Sequence, residues 1–214
     1  MLLRSLLLLF LAAGWAVAQE PVAPKSDTPP KTTYETLLEK VKQQDQKVDF
    51  SELRMTYTET AAYSPYGGDA ESRKAMFAAL KAQEYEKVLA SAEQVLAKNY
   101  LDINGHFGCF AAHRRLGHED KAAYHRYVFE GLLNSIKNSG DGLTMEKAFV
   151  VISTDEEYAY FNWIGLRVSQ QALIKEGEHD YDKMTATNPD TNQSVDYYFN
   201  IDKPFKWLSK SLKP

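Results

Sequence analysis

Apolar residues recur along this chain at the i, i+3, i+4 spacing of a helix until the last third, where the spacing changes. Tyr34, Leu37, Leu38 and Val41 fall on one helical face, and Thr32-x-x-Glu35 ahead of them has capping-box spacing. A second helix starts near Ser51, carries Leu53 and Tyr57, and ends before Tyr63-Ser64-Pro65-Tyr66-Gly67-Gly68, a turn by its proline and glycines. Val88, Leu89, Ala92, Val95 and Leu96 form a wide apolar stripe. Ile103, Phe107, Phe110 and Ala111 form the next, which should stop at Gly117. Tyr124, Val128, Phe129, Leu132 and Ile136 form a third, closed by Asn138-Ser139-Gly140. Three stripes on short loops predict antiparallel helices that bury one another.

Gln83 and Gly117 sit at comparable inter-helix turns 34 residues apart, the tetratricopeptide period. In that register Tyr85 matches Glu119, Val88 matches Ala122 and Val95 matches Phe129, although the large aromatic and Leu-Gly positions of a tetratricopeptide first helix are missing. Two such units are fewer than a free-standing array needs, so other structure must cap them.

After Gly140-Asp141-Gly142 the character changes. Ala148 to Ser153 is a short β-branched run that predicts a buried strand, and Thr154-x-x-Glu157 predicts a capped helix through Tyr158, Phe161, Ile164, Gly165 and Val168. His179–Thr187 and Ser194–Asp202 flank a polar turn, the pattern of a β-hairpin with a long tip. Asp202 and Pro204 open a closing helix with Phe205, Trp207, Leu208 and Leu212. The expected fold class is α+β: tetratricopeptide-like antiparallel helical hairpins, then a small antiparallel sheet with a packed helix.

Residues 1–18, MLLRSLLLLFLAAGWAVA, combine Arg4, an apolar run and an Ala16-Val17-Ala18 cleavage pattern, which predicts an export signal cut after Ala18. Residues 19–33 hold four prolines and predict a disordered spacer; residues 34–214 then form one domain, helical over 34–138 and mixed over 139–214. The expected location is secreted or periplasmic, with no membrane span once the signal is gone. The signal removes Arg4 from 25 basic residues and none of 29 acidic ones, leaving a net charge of −5. With no basic run, nucleic acid is not an expected partner. Cys109 is the only cysteine, so an intrachain disulfide is impossible and the thiol is expected to be a small buried hydrophobe.

Several stretches together resemble a bacterial exported family known as domain of unknown function 4919. They are Tyr63-Ser64-Pro65-Tyr66-Gly67, Ser139-Gly140-Asp141-Gly142, Ala148-Phe149, Ile152-Ser153, Glu156-Glu157-Tyr158, Gln171-Ala172-Leu173-Ile174, Asp180-Tyr181 and Tyr198-Phe199-Asn200-Ile201. The resemblance covers about residues 50–202. It implies secretion and an α+β chain, and it brings no reaction, ligand or site residue.

Catalytic motifs do not stand out. His106 and His113 share a helical face, as do His118 and His125, but each pair is roughly 10 Å apart along its helix, too far to share an ion. A metal site would need His113 and His125 joined across two helices, with a carboxylate such as Glu119. Asp155, Glu156 and Glu157 suit a helix start, where the macrodipole favours acids. Asp180 and Asp182 share one strand face, with His179 and Tyr181 on the other; that face is either a site for acid–base work or a hydrated edge. Ser139-Gly140-Asp141-Gly142 is either an anion cradle or a connector. Thirteen tyrosines, among them Tyr57, Tyr63, Tyr66, Tyr197 and Tyr198, are either rim-anchored core residues or a recognition surface. No catalytic, cofactor-binding or metal residue is assigned. The expected function is a non-enzymatic protein-binding module of the bacterial envelope, its partner an envelope protein. The alternative is an exported hydrolase or metal-dependent enzyme using His113, His125, Asp180 or Asp182.

Overall fold

The structure is a computed structural model that describes residues 31–212, so the expected signal and most of the spacer lie outside the described residues. Six helices come first: α1 (Thr33–Lys42), α2 (Phe50–Tyr57), α3 (Ala70–Ala82), α4 (Tyr85–Lys98), α5 (Ile103–Arg115) and α6 (Glu119–Lys137). A mixed part follows, made of β1 (Phe149–Val150), α7 (Thr154–Ile164), β2 (Arg167–Glu176), β3 (His179–Thr187), β4 (Ser194–Asn200) and α8 (Asp202–Ser211). The architecture is α+β.

Local signals place most of the helix starts. Thr32 and Glu35 close a reciprocal capping box on α1, and Asp49, Asp69 and Asp102 cap α2, α3 and α5 through their carboxylates. Gln83 and Gly117 are both left-handed, with φ of 60° and 75°. At each, the next residue donates a backbone hydrogen bond five residues back, Glu84 to Ala79 and His118 to His113. The turn geometry thus recurs at 34 residues, and Val88, Val95, Ala122 and Phe129 are all buried.

The α5 stripe is where the expectation needs correcting. Ile103 is buried, but Phe107, Phe110 and Ala111 are only half-buried. The face packed on α3 and α4 instead carries Gly105, Gly108, Cys109 and Ala112. A Cβ on Gly108 would lie 2.4 Å from Met76 Sδ, and one on Gly105 2.8 Å from Leu96. Close approach of helices needs small residues, and the larger side chains are left at the surface.

In the mixed part the sheet order is β1-β4-β3-β2. The β3–β4 hairpin forms as expected, with Thr187 opposite Ser194 and Tyr181 opposite Asn200. The sheet is mixed rather than antiparallel, because β1 runs parallel to β4 and pairs Phe149 with Phe199. A parallel neighbour needs a crossover, and α7, β2 and β3 supply it. Strand β2 replaces the end of the expected helix: α7 stops at Ile164 because Gly165 turns left-handed at φ 73°. One sheet face carries Asp182, Met184 and Ala186 of β3 beside Phe199 and Tyr197 of β4. Phe149, Tyr160 and Phe161 pack against that face in an aromatic cluster. The other face is polar, with Lys183 paired to Asp196 at 2.7 Å and set over the Tyr198 ring.

One buried cation ties the two parts together. Arg54 of α2 is 1% exposed and chelates Glu156 of α7 with Nε and Nη2. Nη1 donates to Ser135 Oγ of α6 at 3.1 Å, and Nη2 also donates to the Val150 carbonyl of β1 at 2.9 Å. Tyr63 adds a bond to the Ile152 carbonyl at 2.7 Å.

Candidate functional site

The three acids at the start of α7 do not share one role. Ser153, not Thr154, is the cap residue, and no side chain caps the helix. Asp155 receives two bonds of 2.8 Å from Arg73 of α3, whose Nη2 also reaches Asp102 of α5 at 2.7 Å. Glu156 takes Arg54 and also accepts the Ile152 backbone N–H at 2.8 Å. Glu157 is fully buried, and the Asp182 side chain is the one hydrogen-bonding neighbour of its carboxyl among the described residues.

Beside Glu157 lies Asp182 of β3, 6% exposed. Burial, reinforced by the Asp182 charge, pushes the Glu157 carboxyl up to about 9, so at neutral pH it is a carboxylic acid. Burial also raises Asp182, opposed by a bond of 2.8 Å from the Gln171 amide. Tyr158 donates to Gln171 Oε1 at 2.9 Å. Tyr66 and Tyr158, 45% and 44% exposed, lie near this pair, and both phenols are raised first by burial and then by the two carboxylates. Tyr66 also leans on Trp207 of α8, with ring centroids 6.1 Å apart.

Asp180 and Asp182 are therefore not a hydrated edge. Strand β3 lies between β2 and β4, and both aspartates are under 10% exposed. Asp180 has Lys175 Nζ at 4.0 Å, while exposed His179 bonds to Asp202 at 2.6 Å.

The histidines form a chain between α5 and α6. His106 Nε2 donates to the Tyr100 carbonyl at 2.8 Å, so the neutral ring must accept at Nδ1, from His125 Nδ1 at 3.0 Å. His113 lies 5.7 Å from His125 by ring centroid and bonds to His118 at 3.1 Å. Burial drives His106 down to about 4, and burial with neighbouring positive charge drives His125 to about 3. The fold does bring His113 and His125 together. Among the described residues, however, no three His, Cys, Asp or Glu side chains converge as a metal-ligand set. Two imidazoles alone fall short of the three protein ligands of a catalytic zinc.

A different feature was hidden by the helical stripes. Half-buried Leu80, Tyr85, Phe107 and Phe110 line a groove of about 760 Å³ whose rim carries exposed Lys81, Arg114 and Arg115. Among the described residues none of these three cations makes a side-chain hydrogen bond or ion pair. Aromatic residues with arginine are the enriched composition of interface cores. Phe107, Phe110, Ala111 and Arg114 already stand at helical spacing in the sequence; only their outward direction was not readable there.

Other motifs resolve as structure. Asp141 and Gly142 both donate their N–H groups to the Lys147 carbonyl, and Ser139 Oγ accepts from Val150, so this loop is a connector rather than an anion cradle. Cys109 is 1% exposed and burial lifts its thiol to about 12, which leaves it an inert hydrophobe. Tyr57 and Tyr63 are buried with their hydroxyls on backbone carbonyls, Tyr197 and Tyr198 are half-buried, and Tyr66 is exposed.

Comparison with known proteins gives one finding. No curated protein and no solved structure matches the chain. The segments quoted for the family resemblance meet around α7, through Tyr63 to Ile152, Tyr158 to Gln171 and Gly142 to Tyr198. The family model Domain of unknown function (DUF4919) matches residues 26–210, and the chain belongs to that family.

Proposed function

We propose that this chain is a non-enzymatic binding module, exported to the bacterial envelope, that holds a protein partner in the groove between Tyr85 and Phe110. The observation that carries this reading is the groove itself: half-buried aromatics under three cations unpaired among the described residues, on a protein whose net charge is negative. Its occupant is an extended segment carrying carboxylates and apolar side chains, steered by local charge opposite to that of the whole. The 34-residue recurrence of turns at Gln83 and Gly117 supports reading α3–α6 as two tetratricopeptide-like hairpins, with α1, α2 and the mixed part as their caps. Export rests on residues 1–18.

The test uses residues 19–214 as bait in envelope extract, beside a bait carrying Arg114→Glu and Arg115→Glu, read by mass spectrometry. One protein enriched by the first bait and lost from the second is the expected result. Equal capture by both baits, or by a denatured bait, overturns the groove as the binding surface. N-terminal sequencing of the mature protein, expected to begin at Gln19, tests export.

A further inference from the structure

The two edges of the sheet are treated differently. On one side β1 is only two residues long, and its Val150 N–H is taken by Ser139 Oγ at 2.8 Å. Next to it, the Tyr198 N–H of β4 donates to the Gly142 carbonyl at 2.8 Å. On the other side β2 runs for ten residues, most of them exposed, and among the described residues no strand pairs with its outer side. An open edge of that length is a template for another strand, and soluble proteins as a rule cover or break such edges.

The hydrogen-bond pattern fixes which groups are open. Ile201 donates to the Asp180 carbonyl, so Asp180, Asp182 and Met184 turn their backbone groups to β4, and the alternate residues Tyr181, Lys183 and Thr185 turn theirs to β2. Their partners on β2 are Ile174, Ala172 and Gln170. The residues between, Gln171, Leu173 and Lys175, therefore point N–H and C=O outward. A bulge between Val168 and Gln170 closes this stretch at one end, and the left-handed turn at Gly177 closes it at the other. Leu173 is its midpoint and stands 58% exposed.

We infer that β2 pairs antiparallel with β2 of a second copy of this chain, about a two-fold axis at Leu173, which joins two four-stranded sheets into one. That register alone matches all three outward-pointing residues of each copy, Leu173 with Leu173, Gln171 with Lys175 and Lys175 with Gln171. It also sets Ala172 against Ile174 and Gln170 against Glu176, apolar with apolar and no like charges opposed. Centring the axis on Gln171 would put Lys175 against Arg167 and run the ladder into the bulge. The edge shares no residue with the Tyr85–Phe110 groove, so the dimer leaves that surface free. One short strand per copy makes a small interface, and the association is accordingly transient, with Kd on the order of 10–100 μM.

The experiment is sedimentation velocity on residues 19–214 from about 1 to 500 μM, a range that brackets such a Kd. The expected result is a monomer at the low end and a dimer at the high end. Leu173→Pro removes an N–H that points away from β3, so the sheet keeps its own ladder while the dimer weakens at least about tenfold. Leu173→Lys sets two ammonium groups on the axis and should weaken it as well; near-ultraviolet circular dichroism confirms the fold of both variants. Cross-linking fixes the register. Opposed residues lie about 5.5 Å apart by Cα, so Leu173→Cys should form a dimer-linking disulfide with oxidised glutathione and Gln171→Cys should not, Cys109 being buried. A chain that stays monomeric to about 500 μM overturns the inference, including where an extended peptide of another protein pairs with β2 instead. A dimer unchanged by Leu173→Pro and Leu173→Lys, or linked equally through position 171, overturns it too.

Discussion

The helical part and the mixed part bury opposite kinds of titratable group. Between α5 and α6 the fold encloses His106 and half-encloses His125, both held neutral by desolvation. Between α7 and the sheet it encloses Glu157, also held neutral, but as an acid. Burial penalises charge of either sign, so the same physics opposes acid in one half and alkali in the other. The packing differs as well. Gly105, Gly108 and Ala112 let helices approach closely, whereas large rings, Phe149, Tyr160, Phe161 and Phe199, fill the space under the sheet. Two regions of one domain thus reach stability by different routes and hold their charges to different ends of the pH scale.

Four measurements break or sharpen that comparison. The largest effect belongs to the contact that joins the halves. Arg54→Ala leaves Glu156 buried without its partner and should cost roughly 3–5 kcal/mol in urea unfolding; Arg54→Met with Glu156→Leu should cost less than that single change. Next is Glu157. Its folded value is raised from 4.5 to about 9, so the unfolded chain ionises first, and stability falls as pH rises from 4.5 through 9. Glu157→Gln should remove this slope and gain about 3 kcal/mol relative to wild type at pH 7. Denaturation profiles at several pH values check it, and parallel profiles for the two proteins would refute it.

His106 acts in the opposite sense. Its folded value is lowered from 6.5 to about 4, so the unfolded chain takes the proton first, and stability falls as pH drops from 6.5 through 4. His106→Gln keeps a donor for Tyr100 and should flatten the acid limb by about 2 kcal/mol at pH 5. The smallest change is at the first repeated turn. Gln83 sits at φ 60° without the freedom that Gly117 has, so Gln83→Gly should gain about 0.5–1 kcal/mol in thermal melts. A loss would show that the Gln83 side chain stabilises the turn.

Local patterns were readable wherever local energetics governs. The Thr32–Glu35 box, the turns at Gln83 and Gly117, and the tip between Thr187 and Ser194 all appear where the residues place them. The readings that failed each involve a choice between distant partners. The stripe of Phe107, Phe110 and Ala111 looked like core because it is apolar and periodic, yet the buried face is the one small enough for α3 and α4 to approach. Glu157 looked like a capping residue, although the N-cap position of its helix is Ser153 and carries no side-chain cap. Strand β2 was masked because its exposed positions include Gln170, Gln171, Lys175 and Glu176, a composition with little apolar alternation.

The sequence by itself determined where most helices start, where the β3–β4 hairpin turns, the α+β class and the family, because caps, turns and periodicity act over a few residues. Tertiary structure alone decided which faces meet, that β1 joins the sheet in parallel, and that three successive acids take three different fates. Among the described residues it also left three cations unpaired at a groove and two buried carboxylates without a cation. Those outcomes depend on desolvation and on charges brought together from segments as far apart as Arg54 and Glu156, and no local pattern carries that information.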